Sequence, residues 1–135
     1  MKSKVLVVDD EKDICRAIRF LLEQEEYSVT CVYSGEEAIE AIHKDNFDAI
    51  LTDLKMHGLD GMAVLEKVRE LSPTTPVVIM TAFGSHDSAV EATKCGAADY
   101  IVKPFLNEDI KLTMRKIIAR NKMLLDMRKE NTGLG

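Results

Sequence analysis

The sequence has few of the residues that build sulfur-based or imidazole-based structural sites. Its three cysteines, Cys15, Cys31 and Cys95, are far apart in the chain, and none belongs to a Cys-x-x-Cys pair. Its three histidines lack the spacing of metal ligands on one helix face. This pattern argues against a disulfide framework, a zinc ribbon or a histidine-held metal, and it is typical of a protein in a reducing cytoplasm.

Long apolar runs and nucleotide-binding loops are also missing. No apolar run approaches the ~20 residues that a membrane-spanning helix requires, and the first residues do not resemble a secretory signal. No Gly-x-x-x-x-Gly-Lys loop is present either. We therefore expect a cytoplasmic chain that neither crosses a membrane nor binds a nucleotide.

The charge is distributed unevenly along the chain. Residues 1–106 hold an excess of acidic side chains, residues 107–135 hold an excess of basic ones, and the whole chain has a formal net charge of −5. An acidic body is not typical of direct nucleic-acid binding. We interpret the basic tail as a solvated helix face rather than a phosphate-binding arm.

Short β-branched runs alternate with longer segments of helical periodicity along the 135 residues. The runs of strand length are Lys4–Val8, Tyr27–Val32, Phe47–Thr52, Val77–Thr81 and Tyr100–Val102. Ser85 is expected to cap the fourth helix, and Asn107 the long last one. Strands buried on both faces and joined by helices form parallel sheets with right-handed crossovers. We therefore predict an α/β fold: a flavodoxin-like, doubly wound, five-stranded parallel sheet in the order 2-1-3-4-5, with five helices, the last of them extended.

Polar and charged residues end four of the predicted strands. The first strand stops at Asp9 and Asp10, the third at Asp53, the fourth at Thr81 and the fifth at Lys103. A single Asp in such a place is usually a turn or cap residue, but the carboxyl ends of parallel strands share one edge, where ligands bind. Carboxylates ~4 Å apart repel by ~4 kcal/mol at an effective dielectric near 20, and a divalent cation removes that cost. Oxygen ligands without histidine or thiolate favour Mg²⁺.

Several short motifs between residue 4 and about residue 120 are specific in combination. They are Val7–Glu11, Thr52–Met56, Asp60–Gly61, Met80–Ala82, Gly96–Tyr100 and Lys103–Phe105. With these motifs the chain resembles the receiver domains of two-component response regulators. The segment Met80–Ser85 is most similar to receivers that head enhancer-binding (sigma-54-dependent) transcription activators.

The resemblance implies a phosphoacceptor and a metal site. Asp53 would accept the phosphoryl group. Asp10 would bind Mg²⁺ directly, Asp9 would bind it through a water molecule, and Asp53 and the backbone carbonyl of Lys55 would complete the set of metal ligands. These roles agree with the chemistry, because a carboxylate is a competent nucleophile once the charge of the incoming phosphoryl group is neutralised.

The resemblance also implies a conformational switch. Lys103 would contact the phosphoryl oxygens, and Thr81 would donate its hydroxyl to the phosphoryl group. Tyr100 would then move from an outward to an inward position and remodel the face of the fourth helix and fifth strand. The Lys103–Pro104 peptide is expected to be cis, a form that only ~5–6% of X–Pro bonds adopt.

The implied function is phosphotransfer signalling rather than turnover of a substrate. The donor would be a phosphohistidine of a sensor histidine kinase. Residues 1–120 would form the receiver domain, and residues 121–135 would form a helical linker. The linker would lead to an output domain outside this sequence, expected to be an AAA+ ATPase with a DNA-binding domain that controls transcription.

The last helix has two interpretations. Its apolar seam runs through Ile110, Met114, Ile117, Asn121 and Leu124, and an Asn on such a seam can fix the register of a two-stranded coiled coil. One interpretation is a docked final helix with an amphipathic extension. The other is a dimerisation linker, which would make the protein a homodimer.

Two residues depart from the usual pattern of the family. His57 stands where the family usually has proline, and the loss of that restraint should loosen the loop 55–61, which carries the carbonyl proposed for the metal. Phe83, two residues after Thr81, is predicted to shield an acyl phosphate from water and to prolong its lifetime.

Three alternative functions remain open from the sequence alone. A phosphatase of the haloacid dehalogenase type would need a second acid where Lys55 stands. A receiver-shaped interaction module that is never phosphorylated would have no use for the complete set of site residues. A free-standing diffusible regulator would have no use for the extended last helix.

Overall fold

The computed structural model describes residues 2–82 and 86–134. Within these ranges, five strands alternate with five helices along the chain. The strands are β1 (Lys4–Val8), β2 (Ser28–Val32), β3 (Ala49–Asp53), β4 (Val77–Ala82) and β5 (Asp99–Lys103). The helices are α1 (Lys12–Gln24), α2 (Gly35–Lys44), α3 (Gly61–Leu71), α4 (His86–Lys94) and α5 (Asn107–Leu134). The predicted cap Ser85 and the predicted shield Phe83 lie outside the described residues.

The described strands form one parallel sheet in the order β2-β1-β3-β4-β5. In the register of the central strands, Asp53 of β3 pairs with Met80 of β4, and Thr81 of β4 pairs with Val102 of β5. The prediction of a flavodoxin-like, doubly wound sheet in this order is therefore confirmed. The carboxyl ends of β1, β3, β4 and β5 lie side by side along one edge of the sheet.

Alternate residues of the central strands supply two hydrophobic cores, one on each face of the sheet. In β1, Val5 and Val7 face the core that α1 and α5 cover, whereas Leu6 and Val8 face the core that α2 and α3 cover. All four side chains are fully buried. Burial on both faces is the physical reason for the continuous apolar runs in the sequence, and it makes the sheet a rigid support for the residues at its edge.

The third strand begins later than the apolar pattern predicted. Phe47 is half-buried against the core but precedes the strand, and the backbone N–H of Asp48 donates to the Lys4 carbonyl at 2.7 Å. The strand itself begins at Ala49. An apolar side chain that packs from a loop cannot be distinguished by sequence pattern from one that packs from a strand.

The last helix is docked for only part of its length. Ile110, Met114 and Ile117 of the predicted seam are buried, but Leu124 further along is 47% exposed. This is the extended last helix that the sequence predicted, and the boundary at residue 120 stays a prediction. No helix in residues 2–82 and 86–134 combines the length and apolar character that a membrane span needs.

Candidate phosphoacceptor and metal site

Strand ends bring three carboxylates together. Asp9 follows β1, Asp10 follows Asp9, and Asp53 is the last residue of β3, the neighbour of β1. Among the described residues, one oxygen from each of the three lies within 4.8 Å of one from each of the others. The convergence predicted from the strand ends is therefore present, and the cluster could hold a metal ion.

The environment of this cluster favours binding of a cation. Asp9 is 0% exposed and Asp53 is 8% exposed, so neither charge is well solvated. Burial, followed by the nearby negative charge of Asp9, raises the pKa of Asp53, although Lys103 acts in the opposite direction. Three carboxylates beside a single ammonium leave an excess of negative charge, and hard oxygen donors of this kind suit Mg²⁺, which binds one or two carboxylates and retains several waters.

Lys103 is the counter-charge within the site. Its Nζ lies 2.8 Å from Asp9 Oδ2 and 3.4 Å from Asp53 Oδ2. Burial by itself lowers the pKa of Lys103, but the hydrogen bond to Asp9 and the charges of both carboxylates raise it above its usual value. Lys103 therefore stays protonated at neutral pH. The adjoining Lys103–Pro104 peptide is cis, as expected.

Thr81 follows Met80, the β4 partner of Asp53, and Tyr100 lies on β5 three residues before Lys103. Thr81 is 2% exposed, and its Oγ1 has no hydrogen-bond partner among the described residues. A buried hydroxyl without a partner costs free energy, so Thr81 can gain a hydrogen bond when an acceptor enters the site. Tyr100 is 38% exposed, which corresponds to the outward position expected of it. The switching roles of both residues stay predictions.

The carboxyl end of the loop between β3 and α3 is held close to the carboxylate cluster. The backbone N–H of Gly61 donates to the Leu54 carbonyl at 2.8 Å. A Cβ on Gly61 would lie 2.4 Å from the backbone oxygen of Asp53, so only glycine permits this approach. Asp60 caps α3 by accepting from the Ala63 N–H at 3.0 Å. The motif Asp60–Gly61 therefore holds the start of α3 against the backbone of Asp53, the candidate phosphoacceptor.

The same loop is also held from the side of α2. Glu36 Oε1 accepts from the Leu59 N–H at 3.3 Å, and a Cβ on Gly35 would lie 2.4 Å from the Leu59 carbonyl oxygen. The backbone N–H of His57, which a proline would lack, points to Asp10 Oδ2 at 3.4 Å. These contacts oppose the loosening expected from His57.

Nothing in the sequence pattern singled out Glu36. An acid in the first turn of a helix normally indicates only a favourable interaction with the helix dipole. Lys55 lies in the same loop with an exposed side chain, and the role of its carbonyl stays a prediction.

Comparisons with known proteins agree with this geometry. The family model described as "Response regulator receiver domain" matches residues 5–115. The "Transcriptional regulatory protein ZraR" of Salmonella typhimurium is 39% identical over 121 residues, which are 90% of this chain and 27% of the relative. The "Transcriptional regulatory protein ResD" of Bacillus subtilis is 40% identical over 119 residues, or 88% of this chain and 49% of the relative. The chain thus spans between about a quarter and a half of these relatives.

Solved structures show the same likeness. A response regulator receiver domain protein from Clostridium thermocellum superposes with a TM-score of 0.86 and 35% identity, covering 90% of this chain and 98% of that one. NtrX from Brucella abortus superposes with a TM-score of 0.92 and 28% identity, covering 97% of this chain and 30% of that one.

Proposed function

Because the chain belongs to the family of response regulator receiver domains of two-component systems, we propose that it accepts a phosphoryl group on Asp53 from a sensor histidine kinase. The observation that carries this proposal is the convergence of Asp9, Asp10 and Asp53 beside the ammonium of Lys103. This arrangement places a nucleophilic carboxylate next to a cation site and a fixed positive charge, which are the requirements of phosphoryl transfer.

The reaction follows from the positions of these groups. An oxygen of Asp53 attacks the phosphorus of a phosphohistidine, the P–N bond breaks with its electron pair on nitrogen, and the leaving imidazole takes up a proton from solvent. Asp10, Asp9, Asp53 and the carbonyl of Lys55 would hold Mg²⁺, which would supply positive charge next to the transferred group. Lys103 supplies a second positive charge, and it already lies within 3.4 Å of Asp53. We expect no turnover of any other substrate.

Phosphorylation would change the conformation through Thr81 and Tyr100. The modification adds about −1.5 to −2 charges at Asp53. Hydrogen bonds to a charged group are worth about 1.5–3 kcal/mol each, so those from Thr81 and Lys103 together approach the ~5.5 kcal/mol that inverts a 1:99 equilibrium. The inward shift of Thr81 would leave space that Tyr100, now 38% exposed, can fill.

The output would be transcriptional and cytoplasmic. The relatives ZraR and ResD are named transcriptional regulatory proteins, and each is at least twice as long as the matched segment. We propose that α5 connects this domain to an AAA+ ATPase and a DNA-binding domain. The exposed apolar residues of its second half, Met123, Leu124 and Met127, are available for a homodimer contact.

The test of phosphorylation is a mass measurement with a small-molecule donor. Acetyl phosphate with Mg²⁺ should add one phosphoryl group, about 80 Da, to the wild-type protein, and none to Asp53→Asn. The matched control is Asp13→Asn, because the Asp13 side chain is 95% exposed on α1. This variant should be labelled like the wild type. Labelling of Asp53→Asn, or no labelling of the wild type, would contradict the proposal.

A further inference from the structure

Two cysteine side chains face each other between α1 and the edge strand β2. Cys15 is 1% exposed, and Cys31 is partly exposed. The Cys31 Sγ lies 3.6 Å from the backbone oxygen of Cys15, and the Cys15 Sγ lies 3.9 Å from the backbone oxygen of Val32, the residue after Cys31. A disulfide joins sulfur atoms about 2.05 Å apart, so the two thiols must approach each other further for the bond to form.

The two thiols differ in reactivity. The interaction with the Cys15 thiol lowers the pKa of Cys31 against the effect of burial, and the Arg19 guanidinium acts in the same direction. The Arg19 Nη2 donates to the Val29 carbonyl at 3.1 Å, which holds the guanidinium beside β2. Because the accessible thiolate reacts first with oxidants, Cys31 is the attacking residue and Cys15 the resolving one.

We propose that Cys31 and Cys15 form an intramolecular disulfide when the protein meets a peroxide, which gives the domain an oxidant-responsive site besides its phosphoacceptor. The Cys31 thiolate attacks one oxygen of hydrogen peroxide, the O–O bond breaks, and the departing hydroxide takes a proton to become water. The Cys15 thiol then attacks the sulfenic sulfur, the S–O bond breaks, and the hydroxyl leaves with the Cys15 proton as a second water. Two thiols are oxidised by two electrons, and one peroxide is reduced.

The disulfide would act on the backbone of the acidic site. The Cys15 thiol lies 3.3 Å from the Asp9 carbonyl oxygen, to which it donates. The Asp9 N–H donates to the carbonyl of Val32, the residue after Cys31, at 3.2 Å. Oxidation removes the thiol donor and joins α1 covalently to β2, so both contacts of Asp9 are affected.

The test counts free thiols, so its result does not depend on phosphorylation. Cys95 is exposed and free. The variant Cys95→Ser, which cannot form a disulfide through this residue, therefore serves as the parent for the test. After treatment with hydrogen peroxide and denaturation, the parent should lose two hydrogens, about 2 Da, and take up no N-ethylmaleimide. Dithiothreitol should restore two alkylation sites, and a peptide map should show Cys15 linked to Cys31.

The matched control is Cys31→Ser in the same parent. The serine hydroxyl keeps a polar group on β2. The remaining thiol of this variant, Cys15, should still take up one N-ethylmaleimide after peroxide treatment and denaturation. The proposal is overturned if the parent keeps two alkylatable thiols. It is also overturned if Cys31 only gains oxygen while Cys15 stays a free thiol.

Discussion

Replacement of the candidate phosphoacceptor by its neutral isostere, Asp53→Asn, should make the protein more stable when no metal is bound. Asp53 is 8% exposed and shares one small volume with Asp9 and Asp10. Because phosphoryl transfer would require a carboxylate at this place, we expect the folded state to keep the charge of Asp53 although that charge lowers its stability. Asn keeps the shape of the side chain and removes the charge.

The magnitude follows from the distances. At the 4.8 Å upper limit of the separations and an effective dielectric near 20, Asp53 is repelled by about 3.5 kcal/mol by each of Asp9 and Asp10. Lys103, at 3.4 Å, attracts it by about 5 kcal/mol under the same assumption. The net repulsion is about 2 kcal/mol; burial of the charge adds to it, and solvent around the partly exposed Asp10 reduces it. We expect Asp53→Asn to stabilise the protein by about 1–3 kcal/mol.

The effect should depend on pH in a defined direction. Since the folded state raises the pKa of Asp53, its destabilising effect is absent below the unfolded pKa of about 3.9. The destabilisation by Asp53 should develop as the pH rises from the unfolded pKa through the folded pKa, and it should stay constant at higher pH. The stability difference between wild type and Asp53→Asn should therefore be small in acid and full at pH 7.

The assay is urea unfolding followed by circular dichroism in the presence of EDTA, at pH 7 and at lower pH. Asp13→Asn is the control, because its 95% exposed side chain should contribute less than about 0.5 kcal/mol. Added Mg²⁺ should stabilise the wild type more than Asp53→Asn and so reduce the difference. A metal-free Asp53→Asn protein that is no more stable than the wild type would refute the electrostatic reasoning.

Three further predictions concern the site and the last helix. Lys103→Gln leaves a fully buried carboxylate without its counter-charge, so it should lose about 3 kcal/mol in urea unfolding with EDTA and regain stability steeply with Mg²⁺. Glu36→Ala removes the acceptor for the Leu59 N–H, worth about 1 kcal/mol, and should weaken Mg²⁺ binding about fivefold by calorimetry, whereas Glu36→Gln should not. Met114→Ala, at a 0% exposed position, should cost about 2–5 kcal/mol in urea unfolding, and Met123→Ala less than about 0.5 kcal/mol.

Each of these predictions has a result that contradicts it. Unchanged stability of Lys103→Gln would mean that the carboxylates are compensated by solvent. Equal Mg²⁺ affinities of Glu36→Ala and Glu36→Gln would mean that the loop does not depend on the hydrogen bond from α2. Equal losses for Met114→Ala and Met123→Ala would mean that the second half of α5 is packed like the first.

The fold could be predicted because its pattern is repeated and local. Buried parallel strands require runs such as Lys4–Val8, and the helices between them require apolar residues at helical spacing. The sequence pattern misplaces a strand boundary where an apolar residue packs against the core without joining the sheet, as at Phe47. Strand ends depend on hydrogen bonds to a neighbouring strand, which local composition does not encode.

The candidate site divides in the same way. Asp53 and Lys103 could be placed together because parallel strands must end at a common edge. The contact between Glu36 and Leu59 could not be predicted, because it joins α2 to the loop before α3, and their separation depends on how α2 packs on the sheet. In the structure, the N–H groups of His57 and Leu59 donate to the carboxylates of Asp10 and Glu36, and the looser loop expected from His57 stays a prediction.

The sequence by itself determined the alternation of strands and helices, the burial of the sheet and the kinds of side chain at its edge, since each of these depends on residue type and spacing. Only the tertiary structure decided the distances: the 2.8 Å contact of Lys103 with Asp9, the buried hydroxyl of Thr81, and the approach of Cys31 to Cys15. The physical reason is that these contacts join residues that are distant in the chain. Their separations are set by the packing of whole elements, which no local pattern specifies.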